Sequence, residues 1–168
     1  DLVCDISPNL AHTVARKFHV PQHTCDYRQL LDSDVEAVLL CHSDPKSEET
    51  IAAFDAGKHV LVEKPISDTL DGAHDIVEAA DQAGAPVLVG HHRRHSTAIR
   101  QTKQLLDDSA IGHLVAVSLL WALKKPDDYF DVDWRSRRPG GGPVLINLIH
   151  ELDTLRFLCG EIDRVYAQ

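Results

Sequence analysis

The chain has 168 residues, enough for one ordinary domain or one and a part. With 43% apolar and 26% charged residues it is globular in composition, which excludes collagen-like and disordered classes. Seventeen basic against 26 acidic residues give a net charge of −9, against a duplex nucleic-acid binder, and no apolar run approaches the roughly 20 residues of a membrane span. There is no methionine, and the first residues already read as a strand, so the chain reads as a piece of a longer protein. Cys4, Cys25, Cys41 and Cys159 are far apart with no C-x-x-C. That fits neither a zinc ribbon nor a disulfide framework, and a reducing, cytoplasmic setting is expected.

In chain order, 2–4 reads as a strand ending at Asp5. Ser7 as N-cap and Pro8 at the first helical position then start a helix. Leu10, Val14 and Phe18 fall four apart on one face of it, and Pro21 stops it. Residues 27–31 suggest a short helix. Residues 35–41, VEAVLLC, are nearly continuous in apolar side chains, as central parallel strands are. A helix over 47–56 is capped by Ser47, has Glu48 and Glu49 at its positive end and places Gly57 at C′. A strand over 59–62, a helix over 69–83 ending at Gly84, a strand over 87–90 and a helix over 96–106 follow. Strands and helices alternating at this spacing imply βαβ crossovers and a parallel sheet covered on both faces. Such sheets bind ligands at the carboxyl ends of their strands. Those ends are Asp5, Cys41-His42, Glu63-Lys64 and Gly90-His91-His92.

After Gly112 the pattern changes. Residues 113–123, HLVAVSLLWAL, read as a long strand of a mostly antiparallel sheet in a second α/β domain. A charged, Pro- and Gly-rich loop over 126–143 is long enough to be functional. A strongly apolar helix over 144–159 ends at Gly160, and 165–167 reads as the start of another strand. The expected division is 1–112, a partial dinucleotide-binding domain, and 113–168, a partial substrate-binding domain.

Glu63-Lys64-Pro65 directly follows the strand HVLV. An amine at that edge can take a proton from an alcohol and return it. Pro65 fixes the turn and is a candidate for a cis bond. The plain alternative is a surface lysine in a turn. His91 and His95 are four apart, as metal ligands on a helix are, but Arg93 and Arg94 between them repel a cation and no carboxylate or thiolate is apparent, which argues against a metal.

The segment Ala56-Gly57-Lys58-His59-Val60-Leu61-Val62-Glu63-Lys64-Pro65 resembles the AGKHVxxEKP signature of the Gfo/Idh/MocA oxidoreductases. Gly90-His91-His92-Arg93-Arg94 resembles that family's G-x-N-R-R segment. Ala110-Ile111-Gly112, and Gly140-Gly141-Gly142 leading to His150 and Asp153, follow in the same order, so the likeness spans the chain. It implies a Rossmann domain plus an α/β domain on an open, mostly antiparallel sheet, through which copies form a homo-oligomer. It also implies hydride transfer between a nicotinamide cofactor and a sugar, polyol or related small-molecule substrate. No G-x-G-x-x-G occurs in the chain, and the family's glycine-rich phosphate loop is expected before Asp1. The alternative function is a truncated, non-catalytic binding or assembly module of the same family.

By the resemblance, Asp5 takes the adenosine ribose hydroxyls. With Ile6, Ser7 and Pro8 after it, and no basic residue, NAD is expected rather than NADP. The alternative, a helix-capping aspartate, is weakened by Ser7 as cap. Cys41, His42, Glu63, Lys64, Pro65 and His92 fall on the cofactor side, with His92 standing where the family more often has Asn; an ordinary loop histidine is the alternative for His42. Arg93, Trp134, Arg135, Asn147, Lys64 and His150 fall on the substrate side. Arg93 and Arg94 read alternatively as surface charges, and Trp134 as a loop anchor. Lys64 and His150 are the expected catalytic pair. The family often carries Asp four before this His; here that position is Ile146, and Asn147 comes one residue later, on a shared helix face with His150 at i,i+3 spacing.

Overall fold

The computed structural model describes residues 1–42, 45–136 and 140–168. Residues 137–139 of the charged loop thus lie outside the described residues. The chain divides into two compact units, Asp1–Val89 and Gly90–Gln168.

In the first unit, β1 (Leu2–Cys4), α1 (Pro8–Lys17) and β2 (Gln22–Thr24) form one parallel βαβ crossover, with Val3 opposite His23. α2 (Tyr27–Leu31) follows, capped by Asp26, whose carboxylate accepts the Arg28 N–H. Then come β3 (Ala37–Leu40), α3 (Ser47–Asp55), β4 (His59–Val62), α4 (Leu70–Ala83) and β5 (Val87–Val89). β3, β4 and β5 pair in parallel in that order, so Leu39, Leu61 and Leu88 stand in one row. The parallel α/β reading of the sequence therefore holds for this unit. The sequence passes over β2, because QHT is polar and mostly exposed and carries no alternation to detect.

The core lies between this sheet and two helices. Leu40, Val60 and Val62 meet Ala53 and Phe54 of α3 and Ile76 and Ala80 of α4. Both helices sit on the same face because β3, β4 and β5 advance in one direction, and right-handed crossovers advancing one way place their helices on one side. The expected cover on both faces is absent at this row: Leu39 is 61% and Leu88 57% exposed. α1 differs likewise from expectation. Ala11 and Ala15 are buried while Leu10 and Phe18 are exposed, since small side chains let the helix backbone approach the β1–β2 ladder closely.

Helix ends follow the expectation at Gly57 and Gly84, whose φ values are 69° and 64°, while Thr69, read as the first helical residue, is instead the N-cap of α4 and accepts the Gly72 N–H. Ser47 is instead the first helical residue of α3, after Lys46, and its hydroxyl lies 3.3 Å from that of Ser67. Gly72 explains the closeness. A Cβ there would stand 2.5 Å from Ser67 Oγ and 2.7 Å from Ser47 Oγ. Gly72→Ala is therefore expected to cost about 1–3 kcal/mol by overpacking, despite alanine's better helix propensity. Chemical denaturation checks this, and adding Ser67→Ala should recover part of the loss.

In the second unit a 3₁₀ turn (His92–His95) leads into α5 (Thr97–Asp107), whose cap Ser96 accepts the Ile99 N–H. Residues 113–123 form no strand, nor do 165–167. A strand exists only as a member of a ladder, and among the described residues none after Val89 offers one. The expected antiparallel sheet is thus not seen. Two further 3₁₀ turns (Asp127–Asp131, Asp133–Arg135) carry the charged loop. The final helix begins as a π-helical turn (Val144–Leu148) and continues as α6 (Ile149–Cys159), with Gly160 at its end. Among the described residues no helix is long and apolar enough to cross a membrane.

Candidate active site

Within the first unit the candidate residues follow the carboxyl ends of three parallel strands. Asp5 follows β1 and Cys41-His42 follow β3, while Glu63, Lys64 and Pro65 follow β4. The β3–β4 ladder runs one bond past the strands, with the Glu63 N–H donating to the Leu40 carbonyl at 2.8 Å. That register sets Cys41 beside Glu63. Partial burial, with the Glu63 carboxylate adding to it, raises the Cys41 thiol above its ordinary value. The thiol therefore stays protonated at neutral pH and is a poor nucleophile. Glu63 turns back on its own chain, where Oε2 accepts the Lys64 N–H at 3.1 Å. The Lys64–Pro65 peptide is cis. The His42 carbonyl accepts from Lys46 Nζ at 3.3 Å.

Asp5 behaves differently from the expectation about capping. The Ser7 side chain makes no cap bond to α1; instead Asp5 Oδ1 accepts the Ser7 N–H at 2.8 Å. Asp5 therefore shapes the turn into α1, as short acidic side chains do. A carboxylate accepts at both oxygens, so this use of Oδ1 is compatible with hydroxyl donors on the other.

Within the second unit, residues 91–95 and α6 are tied by charge. Arg93 Nη1 donates to Glu151 Oε1 in a short ion pair. Arg94 grips the buried Asp153 bidentately, with Nε donating to Oδ2 at 2.8 Å and Nη2 to Oδ1 at 2.5 Å. His91 Nδ1 lies 3.7 Å from Asp153 Oδ2. A carboxylate does then approach the histidines, contrary to the sequence reading, but it is committed to Arg94. These pairs join residues 58 and 59 positions apart, so Arg93 and Arg94 are not merely surface charges. The His92 ring meets the His150 ring edge-on, with centroids 5.0 Å apart.

Asn147 takes a separate position. It lies in the π-helical turn, where the 3.6-residue period no longer applies, so the i,i+3 argument linking it to His150 fails. Its partners are Lys125, whose Nζ donates to Oδ1 at 2.8 Å, and Tyr129, whose Oη accepts from Nδ2 at 3.3 Å. Asn147 and Lys125 line a cavity of about 500 Å³ with Trp121, Leu123, Phe130 and Pro143 among its apolar walls. Arg135 stands behind Tyr129. Its Nη1 donates to the Tyr129 carbonyl at 2.8 Å, and its guanidinium lies 4.2 Å from the Tyr129 ring centre and 5.6 Å from that of Trp134. Sequence reading missed Lys125 and Tyr129. Their i,i+4 spacing in KKPDDY was the only local signal, and it matches no motif.

Residues 1–91 match the family model described as an oxidoreductase family with an NAD-binding Rossmann fold, and residues 99–168 match the GFO/IDH/MocA C-terminal domain. The chain belongs to the Gfo/Idh/MocA oxidoreductase family. Among its relatives, 1,5-anhydro-D-fructose reductase of Ensifer adhaerens is 38% identical over 133 residues, covering 77% of this chain and 39% of the relative. Myo-inositol 2-dehydrogenase of Thermotoga maritima is 29% identical over 170 residues, covering 98% and 49%. A structure of levoglucosan dehydrogenase in complex with NADH and levoglucosan superposes with a TM-score of 0.84 at 25% identity, covering 96% of this chain and 45% of that one. This Gfo/Idh/MocA chain spans less than half the length of each of these relatives.

Proposed function

We propose that the chain is part of an NAD-dependent oxidoreductase that passes a hydride between nicotinamide and a carbinol or carbonyl carbon of a sugar, polyol or related small molecule. The observation that carries this reading is Lys64, two residues past the carboxyl end of β4 and inside the segment matched to the NAD-binding family. The substrate class is supported by relatives named for anhydrofructose, inositol and levoglucosan, all polyhydroxylated rings. Bound nicotinamide supplies the hydride acceptor or donor. Lys64 takes or returns the hydroxyl proton, and His150 relays it. Glu63, Pro65, Cys41, His42 and His92 line the cofactor side, while Arg93, Trp134, Arg135 and Asn147 serve the substrate. The residues fit one part of the cofactor: Asp5 suits the adenosine ribose, whereas a G-x-G-x-x-G loop for the pyrophosphate is not in the sequence. We assign 1–112 to the dinucleotide-binding part and 113–168 to the substrate part. Copies of the whole protein associate through the substrate part, in the cytoplasm.

The test is nicotinamide absorbance during incubation of the active protein with NAD and myo-inositol or levoglucosan, or with NADH and 1,5-anhydro-D-fructose. Turnover of any of them is the expected result; no turnover of these or other polyols would overturn the reading. A second measurement addresses the cofactor. Asp5→Asn keeps an acceptor for the Ser7 N–H but removes the charge that repels a 2′-phosphate. It is expected to narrow the NAD-over-NADP ratio of kcat/KM roughly ten-fold, about the worth of one charged hydrogen bond. An unchanged ratio would reduce Asp5 to a turn residue.

A further inference from the structure

We infer that His92 is a positioning residue for His150: the two imidazoles carry one proton between them, and His92 is the member that exchanges it with solvent. The inference rests on the proposed oxidoreductase function and deepens the part His150 plays in it.

The turn after β5 is fastened to α6 through consecutive residues. The His92 ring meets the His150 ring edge-on, with centroids 5.0 Å apart and planes at 64°. Arg93 donates to Glu151, and Arg94 to the buried Asp153. Both ion pairs join the same two elements as the ring pair, so they hold the rings at this separation. His92 is exposed and His150 half-buried. His92 also stands where the family more often has Asn, whose amide neither gains nor loses a proton near neutral pH.

Imidazoles take up protons between about pH 5 and 8. Burial disfavours the charged form, so the exposed His92 takes the first proton. Two positive charges 5.0 Å apart repel each other. That repulsion delays the second proton, on His150, by roughly half a pH unit even at the dielectric constant of water. The surrounding charges are largely paired with one another. Arg93 faces Glu151, Arg94 and His91 face Asp153, and Arg156 further along α6 is tied to Glu161. His95 is exposed at the end of the turn, and the π-helical turn VLINL carries no titratable side chain. α5, packed on α6, brings an exposed Arg100 and the pair Lys103–Asp107. While His92 carries the proton, His150 is therefore held neutral and able to accept. When His150 takes a proton passed on from the substrate hydroxyl, His92 releases its own to water. Charge enters at the half-buried ring and leaves at the exposed one.

The experiment is an NMR titration of the histidine Cε1–H signals of the full 168-residue chain without cofactor, from about pH 5 to 9. The His150 signal is assigned by its loss in His150→Asn. Replacing His92 by Asn is expected to raise the His150 midpoint by roughly half a unit or more. His92→Phe keeps an aromatic ring against His150 and removes only the proton site. It should raise the midpoint as much as His92→Asn does, a result that loss of ring packing would not produce. In the active protein, oxidation needs His150 neutral, so kcat falls as pH drops through its midpoint. Both His92 variants should move that acidic limb to higher pH by the same amount. The inference is overturned if the His150 midpoint ignores both substitutions, or if His92→Asn moves it and His92→Phe does not. It is also overturned if the variants lose NADH affinity with the His150 titration unmoved, which would leave His92 a cofactor contact alone. Because the titration uses neither cofactor nor substrate, its failure is separable from that of the proposed function. A protein that oxidises polyols while His150 ignores His92 overturns the pair alone. One whose rings are coupled but which turns over nothing overturns the oxidoreductase reading and, with it, the relay.

Discussion

Replacing Lys64 by alanine in the active protein is expected to lower kcat roughly 10²–10⁴-fold, the usual weight of a positioned acid–base group. Oxidation of a carbinol needs its proton removed as the hydride departs, and Lys64 is the amine that follows β4 at its carboxyl end. The neighbouring Glu63 turns its carboxylate back on its own chain, where Oε2 accepts the Lys64 backbone N–H. NADH affinity should change far less than kcat, since the proton step and cofactor binding use different groups. Lys64→Arg should not rescue, because a guanidinium keeps its proton at any accessible pH. His150→Ala should cost less than Lys64→Ala if His150 relays or orients. The measurement is steady-state kinetics of all three variants beside an NADH titration. A Lys64→Ala protein with near-normal kcat, or one that loses NADH, would move Lys64 from chemistry to scaffolding and leave His150 as the preferred base.

Asp153→Ala should be the most damaging single change to the second unit. Asp153 is 4% exposed and is held bidentately by Arg94 Nε and Nη2. The bond to Asp153 raises the Arg94 guanidinium pKa further still, so the cation persists at every accessible pH. Removing the carboxylate leaves that charge, and the nearby His91, without it. Breaking a fully buried pair costs about 3–5 kcal/mol. Because the Arg94 side chain is 36% exposed and water can reclaim part of it, about 2–4 kcal/mol is expected here. Urea denaturation checks the value. The double variant Arg94→Met with Asp153→Leu should recover much of the loss, since replacing both partners by apolar groups leaves no stranded charge. A loss under ~1 kcal/mol for Asp153→Ala would show that this pair is solvated like an ordinary surface bridge.

Much of the first unit was legible because its signals are local. Continuous apolar runs at 37–40, 59–62 and 87–89, separated by helices with Thr69, Gly57 and Gly84 at their ends, specify parallel strands and crossovers wherever they are placed. The position of Lys64 was legible for the same reason: residues just past a parallel strand stand at its carboxyl edge wherever the strand is placed. Family membership was legible through the run AGKHVLVEKP, since that run, unlike composition, recurs with its neighbours in order.

What only the tertiary structure decided concerns which partner each polar or apolar group meets. Ser7 reads as a cap, yet its N–H goes to Asp5, because either short side chain can close that turn and geometry chooses between them. Leu10 and Phe18 carry the helical period of α1, yet the closely packed face is Ala11 and Ala15, because the depth of contact with the β1–β2 ladder sets the size it accepts. Residues 113–123 have strand composition and form no strand, because a strand's hydrogen bonds belong to a partner. Arg94 meets Asp153 across 59 residues of sequence, and Asn147 meets Lys125 through one π-helical turn that no periodicity announces. Periodicity reports the geometry of a segment along its own axis, whereas pairing across the fold depends on where the segments are brought together.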